Sequence, residues 1–541
     1  MTQTTITDAL TTFTLKHPEA KILATRGAGL RVGGPPHLIP RLCGELADYA
    51  TCLIAGVIAE DDGEGYQLIY LMYSPLEHEI VSVETEQPRG EPAFHSVSPQ
   101  VHAVDWHERE IEDSFEITFH DHPRLGDFVL HDDLWDEGIA PMRKDFDEKS
   151  AQRVSGPRRT WKPRRVLDSS GAVIFSVGPI FSGTTSPVNF LIESLGEEVM
   201  RSYPRLFYIH RGIEKRLEGM TVEDGLLLVE RFAQTSSVAH AVAYCMAIER
   251  IRAIAVPRRE TYLRGVFLEM ERVRNHTTVL SEIIESTGLS VAAAEMAVCE
   301  ELLLRATARL VGHRYGVGAI AVGGLSRDFM DADIMRAIDE VSNVAARIRS
   351  IYNACAESSS FLDRLQEVGV ISTEATRIYG LVGPVARASG LPSDLRWSLP
   401  YGPYPDFPSP VVGTRGGDSW ARTSILFEEI AASILYMRVF SIAAAEKEGE
   451  GAEGRNPIGG NPSSKYPYGH AGASFGWTEA PRGANFYFVR VGDDGLLKRV
   501  RIMPPAFANW HGLHRATEGF AFQDFPIILA TMGLSVGEND R

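Results

Sequence analysis

The stretch Arg205–Lys215, RLFYIHRGIEK, sets a cation, a glycine and a carboxylate within four residues: Arg211, Gly212 and Glu214. Glycine lets one backbone approach another closely. A glutamate in a partly buried cavity can have its pKa raised and relay protons near neutral pH. The competing reading is an ion pair of Glu214 with Arg211 or Lys215. The chain also has 5 cysteines, Cys43, Cys52, Cys245, Cys299 and Cys355. None belongs to a C-x-x-C pair, so their spacing gives neither a zinc nor an iron–sulfur site. Free thiols packed as small apolar residues in a reducing compartment are the simpler expectation. Trp106–Asp145, WHEREIEDSFEITFHDHPRLGDFVLHDDLWDEGIAPMRKD, is the densest run of charge. By pattern alone it reads as a charged helix with a solvated face, then a turn and a loop.

These residues need a scaffold, and 541 residues are too many for one ordinary core. At about 150 residues per domain, two to four domains are expected. The apolar share is 44%, the charged share 23% and the net charge −17. That acidity argues against non-specific binding to nucleic acid or anionic lipid. The amino-terminal residues MTQTTITDALTTF lack the basic-then-apolar form of a secretory signal. No stretch approaches the ~18 apolar residues of a membrane span, so a soluble, intracellular chain is expected.

Residues 1–150 read as a small α/β unit. Tyr66–Ser74 and Glu79–Glu84 form two short β-rich runs across a turn. Residues 151–172 open with a basic, proline-containing linker. Beyond them helical periodicity dominates: Leu263, Val266, Phe267, Met270 and Val273 make one stripe, and Ile334, Ile338, Val341, Val344, Ile348 and Ile351 another. Both are read as core packing. Residues 398–418 and 449–476 are rich in proline and glycine and read as irregular. Phe486–Val491 and Leu497–Ile502 resemble a hairpin across Gly492–Gly495.

Several of these segments resemble known families. Within Trp106–Asp145, the E-R-E-x-x-D-x-F stretch (Glu108–Phe115), His122-Pro123 and Pro141–Asp145 (P-x-R-K-D) are similar to the smaller peripheral-arm, 30-kDa-type subunit of complex I. There the domain is structural, so no chemistry is expected from it. His210–Lys215 resembles the H-R-G-x-E-K signature of the large subunits shared by complex I and membrane-bound, energy-converting [NiFe]-hydrogenases, and the preceding RLFY leans toward the hydrogenases. Leu263–His276, Gly312–Gly324, Gly383–Tyr404, Glu479–Gly483 and the carboxy-terminal Asp524–Arg541 resemble further large-subunit segments in the same order. The resemblance implies that Glu214 is a proton gate, that Arg211 and His240 are catalytic residues beside it, and that Arg387 and Asp394, in G-x-x-x-R-A-S-G-x-x-x-D, line the substrate cavity.

The same resemblance shows what is missing. The hydrogenase string D-R-V-C-G-I-C-G-F-A-H-S-x-A-Y aligns with Glu230–Tyr244, ERFAQTSSVAHAVAY, with Arg231, Ala239, His240, Ala243 and Tyr244 matching. Ala233 and Ser236 then occupy its two cysteine positions. The carboxy-terminal D-P-C-x-x-C-x-D-R string aligns with Gly533–Arg541, placing Ser535 and Glu538 at the other two. A nickel–iron centre needs four soft thiolates, and these residues offer none. A harder metal held by His240, Glu538 and Ser535 is a minor alternative. The quinone contacts of complex I are absent as well: Phe181 and Thr185 stand at its two histidines and Gln234 at its tyrosine. Thr185 and Gln234 could still hydrogen-bond a carbonyl.

The fold implied is α+β overall, with a small 30-kDa-subunit-like α/β domain (1–150), a linker (151–172) and a mainly helical large-subunit-like core with small β elements (173–541). The chain is expected to carry no cofactor of its own. An iron–sulfur cluster is expected in a partner small subunit, beside antiporter-like membrane subunits and no nucleic acid. A quinone or another small electron acceptor would occupy a cavity lined by Glu214, Gln234, Ser236 and His240. The chain would sit in the cytoplasm, peripheral on the cytoplasmic face of the membrane. An inert cavity in a scaffold subunit is the competing expectation.

Overall fold

A mixed five-stranded sheet organises the amino-terminal unit. Its strands run in the order Lys21–Leu23, Leu30–Gly33, Glu79–Pro88, Gly65–Ser74 and Leu53–Asp61. Leu30–Gly33 pairs in parallel with Glu79–Pro88, and the other pairs are antiparallel. The structure is a computed structural model that describes residues 5–23, 29–136, 138–149, 165, 167, 169–181, 186–408, 410–446 and 471–541. The two β-rich runs are thus neighbouring strands, with Tyr70 opposite Val83.

Side chains alternate between the two faces of a strand, and here both faces are buried. Leu68, Tyr70 and Met72 pack with Phe13, Leu42 and Phe115 of the flanking helices. Ile69, Leu71 and Tyr73 join the large core around Phe486, Val500 and Ile502. The sheet is therefore the shared wall of two cores, each buried side chain contributing about 1.5–3 kcal/mol.

The helix Asp105–Phe115 closes one edge of this wall, and its charges are not solvated as the pattern suggested. Asp105, His107, Glu108, Arg109 and Glu110 are all buried, because the helix lies between the sheet and the carboxy-terminal part of the chain. Glu108 accepts hydrogen bonds from Tyr70 Oη (2.9 Å), Ser96 Oγ (2.5 Å) and the Val97 amide (2.8 Å). Burial nevertheless pushes its carboxyl up to about 7.

The large core is helical. Its longest helix, Arg258–Ser286, has 29 residues and carries the Leu263–Val273 stripe inward. It packs against Ser419–Ala445 and Ser290–Val311, while Asp331–Ala356 buries the second predicted stripe. Residues 399–408 and 410–418 are irregular except for one 3-10 turn, Tyr404–Asp406. The expected hairpin is present as Gly483–Val491 and Leu497–Met503, but it has a third strand, Gly472–Ala480. The reading of 449–476 as irregular therefore fails at its end, and 447–470 lie outside the described residues. A second three-stranded sheet joins Ala172–Val177, Asn189–Leu195 and Glu198–Arg205. Most of the proposed linker, including 151–164, also lies outside the described residues. Among the described residues no helix is long and apolar enough to cross a membrane.

Gly476 marks a close approach in the third strand. A Cβ there would lie 1.9 Å from Ala243 O and 2.8 Å from Ala247 N of the helix Ser237–Ile251. Helix and strand pack backbone to backbone, and only glycine fits. Gly383 and Gly483 meet in the same way: a Cβ on Gly383 would lie 2.2 Å from Arg482 O.

Two outcomes follow from this packing. Gly476→Ala should lower stability by about 1–3 kcal/mol through overpacking, read as a lower urea midpoint; an unchanged midpoint would refute the contact. Glu108 has a raised folded pKa, so its contribution is full below the unfolded value of about 4.3 and is lost as pH rises through about 7. The stability gained by Glu108→Gln over the natural chain should therefore grow with pH across that window and level off above it. A pH-independent difference would show that Glu108 is ionised throughout.

Candidate functional site

Arg499 and Arg501 are two apart on the strand Leu497–Met503, so both project from one face. Both are buried and need acceptors. Glu214, in the short helix Ile213–Leu217, provides them. Its Oε2 accepts from Arg499 Nη1 at 2.9 Å, and its Oε1 from Arg501 Nη1 and Arg541 Nε, each at 3.1 Å. Glu110 of the amino-terminal unit completes the cluster, accepting from Arg501 (2.8 and 2.7 Å) and Arg541 (2.6 Å). Burial pushes Glu214 toward the neutral form, but Arg501, Arg499 and Arg541 outweigh it and hold the carboxyl below its usual range.

This changes the reading of Glu214 in two ways. Its pKa is lowered, not raised, because the surrounding arginines outweigh burial. Its partners are neither Arg211 nor Lys215. Arg211 donates to Phe232 O (3.0 Å) and Gly537 O (2.6 Å), and Lys215 to Arg143 O (3.0 Å) and Glu218 (3.1 Å). Local spacing put those cations in reach, but the fold brings others nearer.

A second polar group stands at the aligned cysteine positions. His240, in the helix Ser237–Ile251, and Glu538, in the last helix Val536–Asp540, are both 0% exposed and meet at 3.1 Å through Nε2 and Oε1. His240 Nδ1 lies 2.8 Å from the Tyr487 hydroxyl. Burial drives Glu538 up, yet the His240 bond and the Arg482 charge leave it lowered overall. Its Oε2 makes no hydrogen bond of normal geometry, and the Ser236 hydroxyl beside it contributes to the lowering. Ser236 is also buried, 3.4 Å from Arg482 Nη1. Ser535 Oγ caps the last helix by accepting from the Glu538 amide (3.2 Å). Ala233 is buried against the apolar core.

A nickel–iron centre does not fit these residues. One position has no donor, one hydroxyl is spent as a cap, and the carboxylate is already paired with an imidazole. Among the described residues, no group of three or more His, Cys, Asp or Glu gathers as a metal site, and the Ser535 hydroxyl of the alternative set is engaged as the cap of the last helix. All five cysteines are buried and unpaired.

The expected single cavity is also divided. Ser236 and His240 lie together, Gln234 is exposed beside them, and Glu214 is bonded elsewhere. Thr185 lies outside the described residues. Arg387 and Asp394 are both buried and engaged in ion pairs. Arg387 is 0% exposed and donates to Glu479 (2.8 Å), Ser393 O (2.7 Å) and Glu429. Asp394 caps the helix Leu395–Ser398 and pairs with Arg396 at 2.7 Å. Both belong to an internal charge network with Glu269, Arg272 and His276.

Arg482, Tyr487, Arg499, Arg501 and Glu110 were not singled out from the sequence. One signal was available: Arg499 and Arg501, at i and i+2 on a strand that also carries Leu497, Val500, Ile502 and Met503, demand buried counter-ions.

Fold and site together define a large subunit of the hydrogenase and complex I type without a thiolate site. Residues 289–449 and 464–541 match the family model of the respiratory-chain NADH dehydrogenase 49 Kd subunit, and residues 35–152 that of its 30 Kd subunit. The chain thus carries a 30 Kd-subunit-like region followed by a 49 Kd-subunit-like region. It is 26% identical over 465 residues to formate hydrogenlyase subunit 5 of Escherichia coli (strain K12), covering 85% of this chain and 79% of that one. It is 25% identical over 528 residues to the C/D 2 polypeptide of NADH-quinone oxidoreductase from Aquifex aeolicus (strain VF5), covering 88% of each. In fold it resembles a chain of the membrane-bound sulfane sulfur reductase, an archaeal respiratory membrane complex, with a TM-score of 0.62 at 23% identity, covering 69% of this chain and 100% of that chain.

Removing one member of a buried charge group leaves the others uncompensated, at a cost of about 3–5 kcal/mol. Glu214→Ala should therefore destabilise the chain by about that amount, measured by urea unfolding. A loss below about 1 kcal/mol, typical of an exposed pair, would contradict the cluster.

Proposed function

We propose that this chain is the large subunit of a membrane-associated oxidoreductase complex of the complex I and hydrogenase kind, which couples electron transfer to proton or ion movement without a nickel–iron centre in this subunit. The observation that carries the reading is the intact large-subunit frame around four non-thiolate positions, Ala233, Ser236, Ser535 and Glu538. Relatives named as belonging to formate hydrogenlyase and NADH-quinone oxidoreductase, matched over most of the chain, support it.

In this proposal an iron–sulfur small subunit delivers electrons, antiporter-like membrane subunits carry the ions, and the chain sits peripherally on the cytoplasmic face. The acceptor is a quinone or another small molecule. One observation favours a scaffold as the second reading. Ser236, His240 and Glu538 are fully buried, and His240 pairs with Glu538 at one of the aligned ligand positions, as in a packed rather than an open site.

The test is a mild-detergent pull-down of the chain from its native membranes, with partners identified by mass spectrometry. Recovery of an iron–sulfur small subunit with antiporter-like membrane proteins is expected. Recovery of the chain alone, or only with soluble partners, would sink the membrane-complex reading. Electron transfer that persists in the complex with His240→Ala would favour the scaffold.

A further inference from the structure

The segments 232–240 and 533–541 carry the four positions aligned with metal-binding cysteines, and they lie far apart in sequence. A metal bound to both would tie them together. The donor set rules that tie out, yet the segments are held, and three protein links account for it.

Arg211 makes the first. Its guanidinium fork spans the two segments, with Nη1 on Phe232 O and Nη2 on Gly537 O at 3.0 and 2.6 Å. The second is dry: His240 and Glu538 join directly at 3.1 Å, with Tyr487 holding the other ring nitrogen at 2.8 Å. The third is Arg482, which reaches Gly533 O through Nε (2.7 Å) and Thr235 Oγ1 and Ser236 Oγ through Nη1 (3.1 and 3.4 Å). Both arginines use the rigid multi-donor fork that suits bridging. No salt bridge engages either guanidinium among the described residues; the acceptors are carbonyls and hydroxyls.

We infer that these three links replace the metal as the closure between the two segments, so that 533–541 locks in place with no metal bound. The lock also sets the cluster below it. Arg541, one residue beyond the last helix, reaches Glu214 and Glu110 only when that helix is seated. Asp540 is held in the same way, accepting from the Ile209 amide at 3.2 Å. Closure of 533–541 thus positions the charges that join the amino-terminal unit to the large core.

Hydrogen–deuterium exchange on the purified full chain tests this. In the natural chain the amides of 533–541 should exchange slowly, and EDTA or phenanthroline should leave that rate unchanged. His240→Ala should speed their exchange by about a hundredfold, since breaking a buried pair costs about 3 kcal/mol and each 1.4 kcal/mol is tenfold. The strands Gly65–Ser74 and Glu79–Pro88 should keep their protection. Arg211→Ala removes an exposed side chain, and it should raise exchange in 533–541 by a smaller factor. Should His240→Ala fail to fold, Arg211→Ala and Arg482→Ala decide the matter. Faster exchange of the natural chain on chelation would overturn the inference, as would unchanged exchange in the variants that fold.

Discussion

A guanidinium group taken out of water must find acceptors, and that demand governs this protein. Arg109, Arg272, Arg387 and Arg422 are among its largest fully buried side chains, and Arg499, Arg501 and Arg541 are nearly as deep. Each is anchored by carboxylates or carbonyls from distant parts of the chain. Buried ion pairs add little net stability over apolar packing, but breaking one is costly. They act as registration: an element out of place leaves a charge unpaired.

Two such clusters divide the work. The Glu110–Glu214–Arg499–Arg501–Arg541 group sits on the seam between the amino-terminal unit and the large core. The Arg387–Glu429–Glu479 group, with Glu269, Arg272 and Arg396, lies within the helical core where the glycine-lined turns meet. The His240–Glu538 contact stands apart, because the motif frame places it where the hydrogenase pattern carries thiolates. A buried imidazole–carboxylate pair stands there in place of ligand chemistry.

Much of the fold was legible from pattern. Strand pairs, helix stripes and the late hairpin show their period in the sequence, because apolar residues must all face one way. The strand Gly472–Ala480 was not legible. Its glycines read as loop, and the need for Gly476 came from a helix more than two hundred residues earlier. The helix Asp105–Phe115 misled for the opposite reason. Its charges signal solvent when read locally, yet their partners, Tyr70 and Arg501, come from elsewhere in the chain.

The sequence by itself determined the donor chemistry: alanine, two serines and a glutamate at the aligned positions cannot supply thiolates in any fold. It determined the motif order as well, since that is a property of the string. Only the tertiary structure decided which charge meets which. Glu214 has Arg211 and Lys215 as neighbours in sequence, but its carboxylate is held by Arg499, Arg501 and Arg541. Coulomb attraction and desolvation depend on distance through space, so the protonation state of that residue was fixed only when remote strands and the carboxy-terminal residue came together.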